Sequence, residues 1–131
     1  MARLELKQLT IVRRKGVLPP LPYQKMKEAI LGKRYELSII FCSPEESKKL
    51  NETYRDKDYA TNVLSFPLDK EEGEIYLSLS TARKDATKFD MSYQKFLHLL
   101  MIHGMLHLKG HDHGSTMEGL EHSYLSKFFR G

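Results

Sequence analysis

The sequence predicts an α+β fold, a small mixed sheet of about four strands packed with helices, as a single domain over residues 1–131. Three observations predict it. Short apolar runs suited to strands stand near residues 3–12, 35–42, 62–66 and 74–79. Helix-start signatures open at Ser43 and Ser115. A long apolar run ends near Leu108 and reads as a buried helix central to the fold. With 131 residues, 40% apolar and 29% charged, the chain has ordinary globular composition and can bury a core of its own.

In order, Leu4 and Leu6 recur at period two, with Leu9 and Ile11 one step out of phase, so residues 3–12 read as one strand with a bulge or register change. Arg13, Arg14, Lys15, Gly16 and the pair Pro19-Pro20 mark a loop. Pro22 suits the first turn of a helix through Lys33, with Met26, Ala29 and Ile30 facing inward. Tyr35 to Cys42 reads as a central strand. Ser43, Pro44 and Glu46 form a capping-box start for a helix to about Tyr54, which delivers Arg55 at its end.

Residues 62–66 and 74–79 read as antiparallel strands joined by a turn over 69–73. Ser78 or Ser80 caps a short helix over 81–89, and Asp90 or Ser92 begins the long helix. Ser115 and Glu118 form a second capping box for a closing helix to about Phe129, with Leu120, Tyr124, Leu125 and Phe128 toward the core.

One cysteine excludes an internal disulfide. Cys42 reads as a small core residue rather than a nucleophile, and the chain suits a reducing cytoplasm. The opening MARLELKQLT has no signal-peptide core, and nowhere do 18 apolar residues run together, so neither export nor a membrane span is expected. A net charge of +4 and a pI near 9.1 are compatible with a polyanionic partner, but so small a surplus is common in proteins that touch no nucleic acid.

The chemistry concentrates in Leu97 to His113, LHLLMIHGMLHLKGHDH. His103 and His107 stand four apart on a helix and share one face. Gly110 can end the helix in a left-handed conformation and let the chain return with His113. Three neutral nitrogens without a fourth protein ligand match a catalytic zinc site with one position left to water. A single histidine is more often a satisfied structural residue. Two imidazoles buried among hydrocarbon, however, cost roughly 1 to 3 kcal/mol for each unsatisfied polar group, and a shared cation removes that penalty. Zn²⁺ is the expected ion, one per chain, although the donor set also suits nickel, iron or copper. His98 falls off this stripe and is not expected to ligate, and His122, on the closing helix, reads as structural or exposed.

The spacing overlays the zinc-peptidase pattern H-E-x-x-H-x-x-G-x-x-H, except that Gly104 stands where the general-base Glu belongs. A peptide hydrolase is therefore disfavoured.

The segment HGMLHLKGHDH resembles the signature of the YbeY family, His-Gly-x-Leu-His-Leu-x-Gly-(Tyr or His)-Asp-His. Leu50, Asn51, Tyr54 and Arg55 match its Leu-Asn-x-x-Tyr-Arg element. Residues 61–67 match Thr-Asp-Val-Leu-Ser-Phe-Pro with Asn62 in place of Asp, and Gly73, Glu74 and Ile75 match Gly-Asp-Ile with Glu in place of Asp. The resemblance covers roughly Leu37 to the C-terminus. It implies a metal-dependent endoribonuclease specific for single-stranded RNA, acting in ribosomal RNA maturation at the 16S rRNA 3′ end and in ribosome quality control, with small-subunit components as partners.

On that reading His103, His107 and His113 hold the metal, and Arg55 and His103 are the catalytic residues. Arg55 otherwise reads as a surface residue pairing with Asp56 or Asp58. Asp112 reads either as an acceptor orienting an imidazole or as a turn former, and His111 as an acid or a spectator. The attacking group is either water activated at the metal or the RNA 2′-hydroxyl. Two other classes stay open: a non-catalytic ribosome assembly factor with a structural metal, and a metal-dependent hydrolase of a peptide or small amide.

Overall fold

The computed structural model describes residues 2–130. Its strands are β1 (Ala2–Leu6), β2 (Leu9–Arg13), β3 (Glu36–Cys42), β4 (Val63–Asp69) and β5 (Glu72–Ser78). Its helices are α1 (Tyr23–Ile30), α2 (Pro44–Arg55), α3 (Leu79–Lys88), α4 (Tyr93–Leu108) and α5 (Ser115–Phe128). The α+β class with a mixed sheet holds. The sheet has five strands in the order β1-β2-β3-β5-β4, one more than expected.

The extra strand comes from the opening segment, which is a hairpin rather than one strand. Leu6 pairs with Leu9, and Gln8 takes a left-handed φ of 57° to turn the chain between them. That turn accounts for the phase shift between Leu4/Leu6 and Leu9/Ile11, since antiparallel partners share a face. β2 and β5 flank β3 in parallel, and β4 closes the other edge antiparallel to β5.

Both faces of the sheet are covered near β3 and β5. Leu37, Ile39, Phe41, Ile75 and Leu77 point into the main core with α1, α3 and α4. Ile40, Cys42 and Leu64 are buried on the opposite face. There α2 covers the sheet, with Tyr54 meeting Phe66 edge-on at 5.3 Å between ring centroids. Phe66 points that way because its neighbour Ser65 points to α4, donating from Oγ to Gly104 O at 2.9 Å. Burial pushes the Cys42 thiol up to about 12, as expected of a core residue without a base beside it.

Helix boundaries follow local chemistry, and the end of α1 departs from the expected range. α1 stops at Ile30 instead of Lys33, because Gly32 turns left-handed at φ 100°. The buried Lys27 then donates from Nζ to Lys33 O at 2.8 Å, and burial lowers its pKa. Ser43 and Ser92 cap α2 and α4 as expected, accepting from Glu46 N at 3.1 Å and Lys95 N at 3.2 Å. Ser78 caps α3.

The two capping boxes are incomplete. Glu46 pairs with Arg14 instead of returning to Ser43, and α5 starts at Ser115 behind Gly114 with no side-chain cap. No described helix is long and apolar enough to cross a membrane.

Gly73 on β5 is fixed by close approach. A Cβ there would lie 2.4 Å from the Tyr35 hydroxyl and 2.8 Å from Leu108 Cδ2, both in buried residues. Gly73→Ala is expected to destabilise the fold by about 1–3 kcal/mol, read as a lower urea midpoint at unchanged slope. An unchanged midpoint would mean that Tyr35 and Leu108 move aside at no cost.

Candidate metal centre

The centre is built where α4 ends. α4 needs no polar face, because the sheet, α1, α3 and α5 surround it, and Leu97, Met101, Ile102 and Met105 are fully buried. His103 and His107 interrupt this apolar surface one turn apart, each partly buried. At the helix end Gly110 takes φ 104°, a conformation open to glycine, and its N–H donates to His107 O at 3.0 Å. The reversed chain carries His113 back over α4. One ring nitrogen from each of His103, His107 and His113 lies within 4.8 Å of the others.

Hydrogen bonds decide which nitrogens face inward. His103 Nδ1 lies 2.8 Å from Glu121 Oε2, and His107 Nδ1 lies 2.9 Å from His111 O. A carboxylate and a carbonyl only accept, so each Nδ1 carries a proton, and a ring in that tautomer turns its Nε2 lone pair inward. Those two Nε2 atoms are 3.0 Å apart. Burial, followed by the neighbouring His103, lowers the His107 pKa from its ordinary value.

Two lone pairs at this separation repel unless a cation stands between them. Four tetrahedral nitrogen ligands on zinc would sit about 3.3 Å apart, close to the 3.0 Å between the His103 and His107 Nε2 atoms, with a His113 nitrogen within 4.8 Å of both. The residues therefore fit a divalent metal with three nitrogen donors.

Glu121 was not identified from the sequence, where Asp112 was the candidate for orienting an imidazole. Asp112 is exposed and makes no side-chain hydrogen bond among the described residues; the carbonyl of His111 and the carboxylate of Glu121 do that work. A signal existed: Glu121 shares a helical stripe with Met117, Tyr124 and Leu125, an acid on an apolar face. Glu121→Ala is expected to weaken metal affinity about 10- to 100-fold, measured by competition with a chromogenic chelator. Equal affinity in variant and parent would remove Glu121 from the site.

Gly104, in the position of a peptidase base, faces the sheet. A Cβ there would meet Ile75 Cδ1 and Ser65 Oγ, both at 3.2 Å, leaving no room for a glutamate. The absence of that base is thus enforced by the packing of α4 on β4 and β5.

The three histidines open into a cleft of about 570 Å³ whose other wall is the α2–β4 connection. Arg55, the last residue of α2, lines it, donating from Nη2 to Ser65 O at 2.7 Å with its guanidinium 5.4 Å from the Phe66 ring centroid. It makes no ion pair with Asp56 or Asp58, and Asp58 pairs with Lys48 instead.

Two buried polar residues of α2 pin this wall. Ser47 Oγ donates to Thr61 O at 2.6 Å and accepts from Thr61 N at 3.0 Å, while Asn51 Nδ2 donates to Tyr59 O at 3.0 Å. Asn62 also lines the cleft and donates to Asp85 Oδ2 at 2.8 Å, so an Asp in its place would face a like charge. Glu74 lies on β5, outside the cleft lining. His98 bonds Gln94 O through Nδ1 at 2.7 Å and packs on Phe129, and His122 is exposed; neither joins the cluster.

A family model described as Endoribonuclease YbeY matches residues 19–128, reaching further toward the N-terminus than the motifs from Leu37 onward. Endoribonuclease YbeY of Alkaliphilus metalliredigens is 39% identical over 98 residues, covering 66% of this chain and 63% of the relative. That of Phocaeicola vulgatus is 36% identical over 107 residues, covering 75% of this chain and 78% of the relative. The chain thus spans less than two thirds of the Alkaliphilus relative's length. Among solved structures, the solution structure of TM1509 from Thermotoga maritima aligns with a TM-score of 0.59 and 29% identity, covering 89% of this chain and 87% of that one. With the His-x3-His-x5-His cluster, the Arg55 element and the family match over most of its length, the chain belongs to the YbeY family.

Proposed function

We propose that this chain is a zinc-dependent endoribonuclease that cleaves single-stranded RNA, acts in ribosomal RNA maturation at the 16S rRNA 3′ end and in ribosome quality control, and meets small-subunit components in the cytoplasm. The observation that carries the reading is the convergence of three imidazole nitrogens in a cleft that also holds Arg55. The names of the relatives support the RNA substrate, and the single buried, high-pKa thiol of Cys42 is compatible with a reducing compartment.

When bound, a divalent cation supplies Lewis acidity, polarising a phosphoryl oxygen and lowering the pKa of water to about 7. His103, His107 and His113 would hold it, each through one ring nitrogen. Glu121 keeps His103 in the ligating tautomer and adds negative charge behind the ring, which is the catalytic contribution assigned to His103. Arg55 spends one N–H on Ser65 O and keeps other donors for a phosphate, where it neutralises charge that develops as the bond breaks.

The test uses tag-free protein on single-stranded and duplex RNA of one sequence. The expected result is cleavage of the single strand only, lost with chelator and restored by zinc or nickel. A 2′,3′-cyclic phosphate would assign attack to the 2′-hydroxyl, and a 5′-phosphate to water. Binding without cleavage would favour the assembly-factor reading.

A further inference from the structure

Two exposed aromatic rings stand on α2 and the connection that follows it. Tyr54 is 65% exposed but packs on Phe66. Tyr59 is 54% exposed and lines the cleft itself. Among the described residues its ring has no aromatic or cationic partner and its hydroxyl no hydrogen bond, whereas its backbone is held firmly. Asn51, 2% exposed, clamps Tyr59 O from below, and Asn51 O accepts from Lys57 N at 3.2 Å, fixing both ends of the loop. A rigid backbone presenting an unpartnered aromatic face beside Arg55 and Lys57 combines the two elements by which proteins hold single strands, a stacking platform and a basic groove.

We propose that Tyr59 stacks on a nucleobase of single-stranded RNA and thereby positions the strand across the cleft. This rests on the reading of the chain as a ribonuclease. It deepens that reading, since only unpaired bases offer a free face and strand selectivity then resides partly in this residue. The hydroxyl has no part in stacking, so phenylalanine substitutes for tyrosine and alanine does not.

The test measures equilibrium binding of a fluorescein-labelled, 2′-O-methyl single-stranded oligomer by the zinc-loaded parent, Tyr59→Phe and Tyr59→Ala. Steady-state cleavage of the matching RNA is measured in parallel. Tyr59→Ala is expected to weaken binding and raise KM by about 10-fold with kcat changed less than about 2-fold, while Tyr59→Phe matches the parent. An abasic oligomer of equal length should bind the parent and Tyr59→Ala alike. Equal binding of the base-bearing oligomer by the parent and Tyr59→Ala would overturn the proposal. Tyr59-dependent binding without cleavage would support stacking while sinking the nuclease reading, and a parent that neither binds nor cleaves would sink both.

Discussion

His103→Ala should abolish stoichiometric metal binding and bring RNA cleavage to the level of the chelated parent, the largest effect expected of any single substitution here. The ring it removes supplies one of three nitrogens and, among the described residues, the only imidazole of the cluster backed by a carboxylate, so the remaining pair offers too few donors for a tight divalent site. Metal affinity should fall by more than about 100-fold, beyond the range expected from losing an orienting partner alone.

Stability provides the control. Without metal the variant should lie within about 1–3 kcal/mol of the parent, because relief of the contact between the two Nε2 atoms offsets part of the cost of leaving the Glu121 carboxylate without its partner. With zinc at about 100 times the Kd, the parent alone should gain about 2.7 kcal/mol. Cleavage surviving in a metal-free, folded His103→Ala would detach the activity from this cluster.

Arg55→Ala should separate chemistry from metal binding. Its guanidinium lines the cleft but bonds Ser65 O rather than a histidine, so the metal content and fold of the variant should match the parent. Cleavage should drop by about 10²–10³-fold, the usual cost of deleting one group that stabilises transition-state charge. Arg55→Lys should recover only part of this, because an ammonium cannot donate to Ser65 O and grip a phosphate in the same planar geometry. A folded, metal-loaded Arg55→Ala that cleaves at the parent's rate would point to a contaminating nuclease or to a structural role for Arg55.

Much of this arrangement is local and could be read before any fold was known. Ser43, Pro44 and Ser92 mark helix starts through bonds within three residues, and Gly110 marks the turn that returns His113. His103 and His107 meet because helical spacing puts them one turn apart. What escaped the sequence depends on long-range packing or on competition between partners. The hairpin at Gln8 lacks the glycine or asparagine that usually announces such a turn, so its strands read as one. Glu46 was expected to close a capping box, but Arg14, distant in sequence, offers it a charged partner. Helical spacing marks Glu121 as an acid on the apolar face of α5, but its partner His103 is set only by α5 lying along α4. Arg55 was legible from its sequence element, whereas its anchoring to Ser65 O required β4 to be in place.

X-ray absorption at the metal edge of zinc-loaded protein addresses the centre directly. A first shell of three imidazole nitrogens at about 2.0–2.1 Å plus one light, exchangeable oxygen, with one ion per chain, is the result expected. A shell with fewer than three imidazoles, or an unaltered spectrum in His113→Ala, would contradict it.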